Sequence, residues 1–202
     1  MNIECWFPTP ILIHQIDGNK REAISSKVDS WSTPENIAKY LIVSPEENLK
    51  TSYHATHNII EICDLLELYN EIIYCTNYFC QAMGLNYRGS YTIHSWINFF
   101  EKGQTENQHT HYGSFLSGCY YVSAPKGSGN IVFPDATAER DMWKGIYLKN
   151  KKEENPLNST SVGYEPIPGK IIMFQSWMPH SVNKNNSDDT RISIAFNVNL
   201  ND

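Results

Sequence analysis

From residue 87 onward the chain breaks into short β-prone runs separated by turn residues, and this rhythm leaves few folds open. Aromatic and β-branched residues alternate over 90–100. Further runs follow at 114–122, 130–133, 171–174 and 191–198. Gly, Pro and Asn interrupt them at short intervals, which suits an all-β sandwich or barrel. The stretch 135–162 is polar and irregular, and it reads as a long insertion between strands.

The part before residue 87 has a different character. Ile11-Leu12-Ile13, after Pro8-Thr9-Pro10, reads as an opening strand, and 20–31 as a first helix. Ser44-Pro45-Glu46-Glu47 reads as a helix or turn start, because proline and acids suit the positive end of a helix. The clearest helix spans 58–83. Ile59, Ile62, Leu65, Leu66, Tyr69, Ile72 and Ile73 recur there at steps of three and four, and Gly84 supplies a stop. The expected organisation is one domain over 1–202. Residues 1–87 form a strand with a helical support layer, and 88–202 a jelly-roll core with the insertion 135–162.

Composition narrows the partners. The 202 residues carry a net charge of −6, which disfavours a nucleic-acid or anionic membrane surface. No apolar run is long enough for a membrane helix, and the amino terminus lacks a secretory pattern. Cys5, Cys63, Cys75, Cys80 and Cys119 are odd in number and contain no CxxC pair, so reduced thiols in a cytoplasmic protein, of the cell or of an infected host, are expected.

Three features carry chemistry. Asn107-Gln108-His109-Thr110-His111 places two imidazoles one residue apart, and strand side chains repeat with period two, so both can face one side. His180, in Trp177-Met178-Pro179-His180-Ser181-Val182, supplies a distant third. Three such ligands on one face of a metal leave the opposite face open, which is the logic of non-haem iron oxygenases. Imidazole alone does not choose between iron, zinc and copper. Arg191-Ile192-Ser193 opens the last long run. A turn over 184–189 returns the chain antiparallel, so that Arg191 points into the same barrel from an adjacent strand. A guanidinium there requires a carboxylate, and the far end of 2-oxoglutarate supplies one, with Ser193 facing the same way. His54, His57 and His94 read as ordinary surface or core residues.

These motifs, in this order, resemble a known family. Trp96-Ile97-Asn98, the His109 segment, Ser114-Phe115-Leu116-Ser117-Gly118-Cys119-Tyr120-Tyr121-Val122, Ser128-Gly129-Asn130-Ile131-Val132-Phe133, Pro168-Gly169-Lys170-Ile171-Ile172-Met173-Phe174, Ser176-Trp177-Met178-Pro179-His180-Ser181-Val182 and Arg191-Ile192-Ser193-Ile194-Ala195-Phe196-Asn197 look like the 2OG-Fe(II) oxygenases related to prolyl 4-hydroxylases. The type resembled occurs often in marine bacteria and their phages. The opening Trp6-Phe7-Pro8-Thr9-Pro10 is similar as well.

The resemblance implies a mainly β fold, a double-stranded β-helix (jelly roll, cupin-like) with an amino-terminal helical layer. It implies Fe(II) and 2-oxoglutarate as cofactors, and hydroxylation of a peptidyl residue such as proline or of a small metabolite. By position His109 and His180 match the family's two histidines, and Arg191 and Ser193 its 2-oxoglutarate anchor. Asn98, Tyr121, Asn107 and Ser117 are candidates for cosubstrate or supporting contacts, with a plain hydrogen bond inside the barrel as the alternative for each. His111 stands where the superfamily usually has a carboxylate. It can complete a three-histidine face, as in thiol dioxygenases; Asp135 can be the missing carboxylate; or water can complete a two-histidine site. Two rival functions stay open: a cupin-type three-histidine dioxygenase without 2-oxoglutarate, and a non-catalytic jelly-roll binding module.

Overall fold

The computed structural model describes residues 1, 2, 4, 8–44, 49–53, 57–135, 145 and 149–201. Among them the strands are β1 (Ile11–Gln15), β2 (Ile42–Val43), β3 (Lys50–Thr51), β4 (Ser90–Phe100), β5 (Glu106–His109), β6 (Leu116–Ser123), β7 (Ile131–Pro134), β8 (Ser161–Tyr164), β9 (Lys170–Gln175), β10 (His180–Val182) and β11 (Arg191–Asn201). The helices are α1 (Gly18–Trp31), α2 (Pro34–Tyr40), α3 (Ile59–Ile62) and α4 (Leu66–Ala82). The expected helix start at Pro45-Glu46-Glu47, the opening Trp6-Phe7, Cys5, His54 and residues 136–144 and 146–148 of the insertion lie outside the described residues.

Two antiparallel sheets form the barrel. The larger has the order β1-β9-β6-β11-β4-β3-β2, and the smaller β5-β10-β7-β8. At the centre β11 pairs with β4 from Arg191 opposite Phe100 to Asn201 opposite Ser90, and with β6 on its other side. Both faces of this central sheet are buried, and period two sorts the side chains. Ile194, Phe196 and Val198 of β11, Ile93 and Ile97 of β4, Tyr120 of β6 and Met173 of β9 pack in one core with Ile24 and Val28 of α1 and Leu68, Ile72 and Phe79 of α4. The alternate residues, among them Trp96, Asn98, Cys119, Tyr121, Phe174, Arg191 and Ser193, line the cavity between the sheets. Gly118 keeps the helix-side layer closed. A Cβ there would strike the ring of Phe196 and the carbonyl of Ile172.

The expected helix over 58–83 is two helices. Asp64 adopts φ 49°, the amide of Leu65 donates to the carbonyl of Ile60, and that of Asp64 to Glu61. This is a Schellman closure, and α4 ends with the same bonds at Gly84, from Leu85 to Cys80 and from Gly84 to Gln81. The break shifts the helical phase. Leu66 and Tyr69, expected in the apolar stripe, are exposed, and Leu68, Cys75, Thr76 and Phe79 take the buried face beside Ile72. An apolar stripe at steps of three and four cannot register such a shift, because apolar residues stand on both sides of the break.

A second difference bears on the site. The turn after β10 does not return to a paired strand, since β10 belongs to the smaller sheet and β11 to the larger. Asn185 holds this crossing. Its Nδ2 donates to the carbonyls of Phe100 (2.8 Å) and Asp189 (3.0 Å), and its Oδ1 accepts from the amide of Ser187. Arg191 therefore faces His180 across the barrel rather than beside it.

Candidate metal centre and cosubstrate pocket

The smaller sheet positions the histidines. His109 ends β5 directly opposite His180 at the start of β10. His111 follows in a turn pinned by its amide donating to the carbonyl of Ser176 (2.9 Å). Ring centroids lie 4.3 Å apart for His109 and His180, 5.0 Å for His109 and His111, and 5.1 Å for His111 and His180. Each ring offers one ligand atom, and these atoms all lie within 4.8 Å of one another. Ligands at about 2.1 Å from one ion stand roughly 3.0–3.4 Å apart, so a small inward turn of the rings brings all three onto a metal.

Local hydrogen bonds fix the rings. His109 Nδ1 donates to the carbonyl of Asn107 (2.8 Å) and His180 Nδ1 to that of Met178 (3.0 Å). A carbonyl only accepts, so each Nδ1 carries a proton, and Nε2 is the atom that a neutral ring in this orientation offers to a metal. Burial, with His109 adding to it, pushes His111 down to about 4. Burial also pushes His180 down to about 3, against the opposing bond to Met178. Both rings are thus neutral at physiological pH, which is the form that binds metal. Phe174 and Phe133 flank His180 at 4.7 and 5.9 Å, and Trp96 leans on His111 at 5.6 Å.

Arg191 projects into the same cavity and is 1% exposed. Its Nη1 donates to the carbonyls of Ser128 (3.1 Å) and Gly129 (3.0 Å), and its guanidinium carbon sits 3.7 Å from the centre of the Phe100 ring. Gly129 has φ 91°, and a Cβ on it would strike the carbonyl of Asn183, so this cradle requires glycine. Arg191 Nε is buried with no hydrogen-bond partner among the described residues. Burial lowers the Arg191 pKa, while Tyr121, Cys119 and Glu106 act to raise it. A buried cation left with an open donor fits an anionic ligand with carboxylate geometry.

The other expected residues separate into two groups. Ser193, Asn98 and Tyr121 line the cavity with Arg191. Burial keeps the Tyr121 hydroxyl protonated, well above its ordinary value. Thr51 Oγ1 accepts from the amide of Tyr53 (3.1 Å) and donates to Asn98 Oδ1 (2.5 Å), which leaves Asn98 Nδ2 as the free donor of that amide. Ser117 is occupied by Ser176 Oγ and Asn197 Oδ1, both at 2.7 Å, so it is a structural bond. Asn107 contributes its carbonyl to His109. Asp135 does not line the cavity; its amide donates to Thr160. Sequence reasoning missed Glu106 and Cys119, both in the lining. It also missed Thr51, which carries no motif of its own.

Residues 94–197 match the family described as "Putative 2OG-Fe(II) oxygenase". No curated protein matches the sequence. A prolyl-4-hydroxylase from Pseudomonas putida has a similar structure, with TM-score 0.63 and 10% identity over 96% of this chain and 94% of that one. A prolyl hydroxylase from Trichoplax adhaerens, in complex with a hypoxia inducible factor oxygen degradation domain peptide fragment, gives TM-score 0.58 and 14% identity over 94% and 83%. The epimerase SnoN of nogalamycin biosynthesis, in complex with Fe3+, alpha ketoglutarate and nogalamycin RO, gives 0.64 and 10% over 95% and 79%. At these identities the likeness speaks for the fold, a double-stranded β-helix.

Proposed function

The chain belongs to the 2OG-Fe(II) oxygenase family, and on that premise we propose that His109, His111 and His180 hold the iron while Arg191 anchors 2-oxoglutarate. The observation that carries this reading is the pairing of three converging imidazoles with a buried arginine whose Nε stands open in the same cavity. Iron and 2-oxoglutarate, when bound, would activate dioxygen as the oxidant, two of its four electrons coming from decarboxylation of the cosubstrate to succinate and two from oxidation of a second substrate.

The protein's part is to orient and to exclude water. The rings of His109 and His180 are held by carbonyls, so their lone pairs are aimed before the metal arrives. Arg191 presents its open N–H to the far carboxylate, and Ser193 and Tyr121 add hydroxyl donors. Asn98 Nδ2 adds an amide donor, aimed by Thr51. Thr51→Val is therefore expected to weaken 2-oxoglutarate binding by up to about 10-fold, the worth of one neutral hydrogen bond, with metal affinity unchanged. Calorimetric titration of the variant checks this, and unaltered cosubstrate affinity would remove Asn98 from the pocket's working set.

The prime substrate belongs to one of two classes, a peptidyl residue such as proline or a small metabolite. The similar structures include one with a bound peptide and one with a bound small molecule. A cupin-type reaction without 2-oxoglutarate leaves the Arg191 cradle without a use. The helices and the larger sheet share one core, which supports reading 1–202 as a single domain. The free thiols Cys63, Cys75, Cys80 and Cys119 support a reducing, cytoplasmic setting. Among the described residues no helix is long and apolar enough to cross a membrane.

The test is an anaerobic titration with Fe(II) and 2-oxoglutarate, followed, after admission of oxygen, by succinate detection over peptide and small-metabolite pools. A weak visible charge-transfer band requiring both components is expected, and succinate release that depends on His180. Iron-loaded, folded protein that shows neither would refute the reading.

A further inference from the structure

A three-histidine face is neutral, so a divalent ion held there keeps its full charge unless a carboxylate stands close. The bulge in β5 brings one. His180 pairs with His109 and Val182 with Glu106, so two steps along β10 correspond to three along β5. Residues three apart on a regular strand face opposite sides; the extra residue turns Glu106 to the side of His109. Glu106 lines the cavity together with the three histidines and Arg191. Its Oε1 lies 3.8 Å from His109 Nε2, the ring atom left for metal. Glu106 is not in the group whose ligand atoms lie within 4.8 Å of one another, so it stands just outside the ligand shell.

We propose, resting on the metal-site reading above, that Glu106 is an anionic positioning residue of the metal centre. Its carboxylate accepts a hydrogen bond from a water on the ion and supplies the negative charge that the histidine face lacks. The same carboxylate acts on the other side of the cavity, where its charge favours the Arg191 cation. It must then oppose a dianionic cosubstrate entering between them. One side chain therefore strengthens metal binding and restrains cosubstrate binding, and these opposite signs set it apart from a residue that merely supports the fold.

The experiment compares wild type with Glu106→Gln, Glu106→Asp and His180→Ala. Fe(II) affinity is measured anaerobically by chelator competition, 2-oxoglutarate affinity by calorimetry at saturating Fe(II), and the Fe(III)/Fe(II) midpoint potential by redox titration. Glu106→Gln is expected to weaken Fe(II) binding by about 10- to 100-fold, to raise the midpoint potential, and to tighten 2-oxoglutarate by several-fold. Glu106→Asp, which keeps the charge, should hold Fe(II) within a few-fold of wild type. Wild-type iron affinity and potential in Glu106→Gln would overturn the proposal. So would a joint weakening of iron and 2-oxoglutarate accompanied by a lower Tm, which is the mark of a structural lesion. His180→Ala isolates the underlying reading: if it binds Fe(II) like wild type, the metal site itself is misassigned and the role of Glu106 falls with it.

Discussion

His180→Ala is expected to lower Fe(II) affinity by more than about 100-fold, since loss of an outer partner of a metal ligand already costs 10–100-fold. The effect is large because two physical roles end together. The ring is 5% exposed, wedged by Phe174 and Phe133, and its Nδ1–H is committed to Met178. The remaining pair, His109 and His111, stands 5.0 Å apart at the ring centroids on one short segment. Without the partner opposite His109 in the β5–β10 pair, the metal is bound from one wall only. Chelator competition reads the loss, and circular dichroism shows whether the fold survives. His180→Phe keeps the volume and should retain the sheet while still losing the metal. If His180→Phe bound Fe(II) within a few-fold of wild type, the three-histidine assignment would be wrong.

How far the site could be read from sequence depends on which link carried each residue. His109, His180 and Arg191 were legible because each sits in a run whose local pattern fixes its direction. Arg191 and Ser193 are two apart on a long strand, and both face the cavity. Asn98 and Tyr121 follow from the same alternation in β4 and β6. Glu106 was not legible, since plain alternation from His109 assigns it to the opposite face. Only the bulge, which arises from pairing with β10, reverses that. Thr51 was invisible for a related reason: its role is a tertiary bond to Asn98 across 47 positions. The helix over 58–83 was found as an apolar segment, but its break at Asp64 depends on one residue in the left-handed region. Antiparallel return is the common outcome of a short turn, and β10 departs from it. Here Asn185 satisfies Phe100 and Asp189 instead and carries the chain across to the other sheet.

Arg191→Met is expected to separate stability from cosubstrate binding, and this is the sharper of the two large effects. A buried guanidinium is costly, and here its compensation is incomplete: two carbonyls on Nη1, the face of Phe100, and an Nε with no partner among the described residues. Replacing a poorly compensated buried charge by an apolar side chain of similar length is often neutral or stabilising. The Tm of the metal-free variant should therefore hold or rise. Its affinity for 2-oxoglutarate should fall by about 30-fold or more, because a desolvated charge-paired contact is worth roughly 2–5 kcal/mol and each 1.4 kcal/mol is tenfold. Fe(II) affinity should stay near wild type, since Arg191 bonds to none of the three histidines. Arg191→Lys should not restore binding. A single ammonium cannot reproduce the planar fork that meets Ser128 and Gly129 on one edge and leaves Nε for a carboxylate. Calorimetry with 2-oxoglutarate at saturating Fe(II), set beside thermal melts of the same samples, distinguishes the outcomes. A variant that melts lower and loses iron and cosubstrate together would make Arg191 a structural residue. A variant that melts no lower, keeps iron and loses only 2-oxoglutarate identifies the pocket for what its chemistry indicates: a cation held at a cost in stability for the carboxylate it receives.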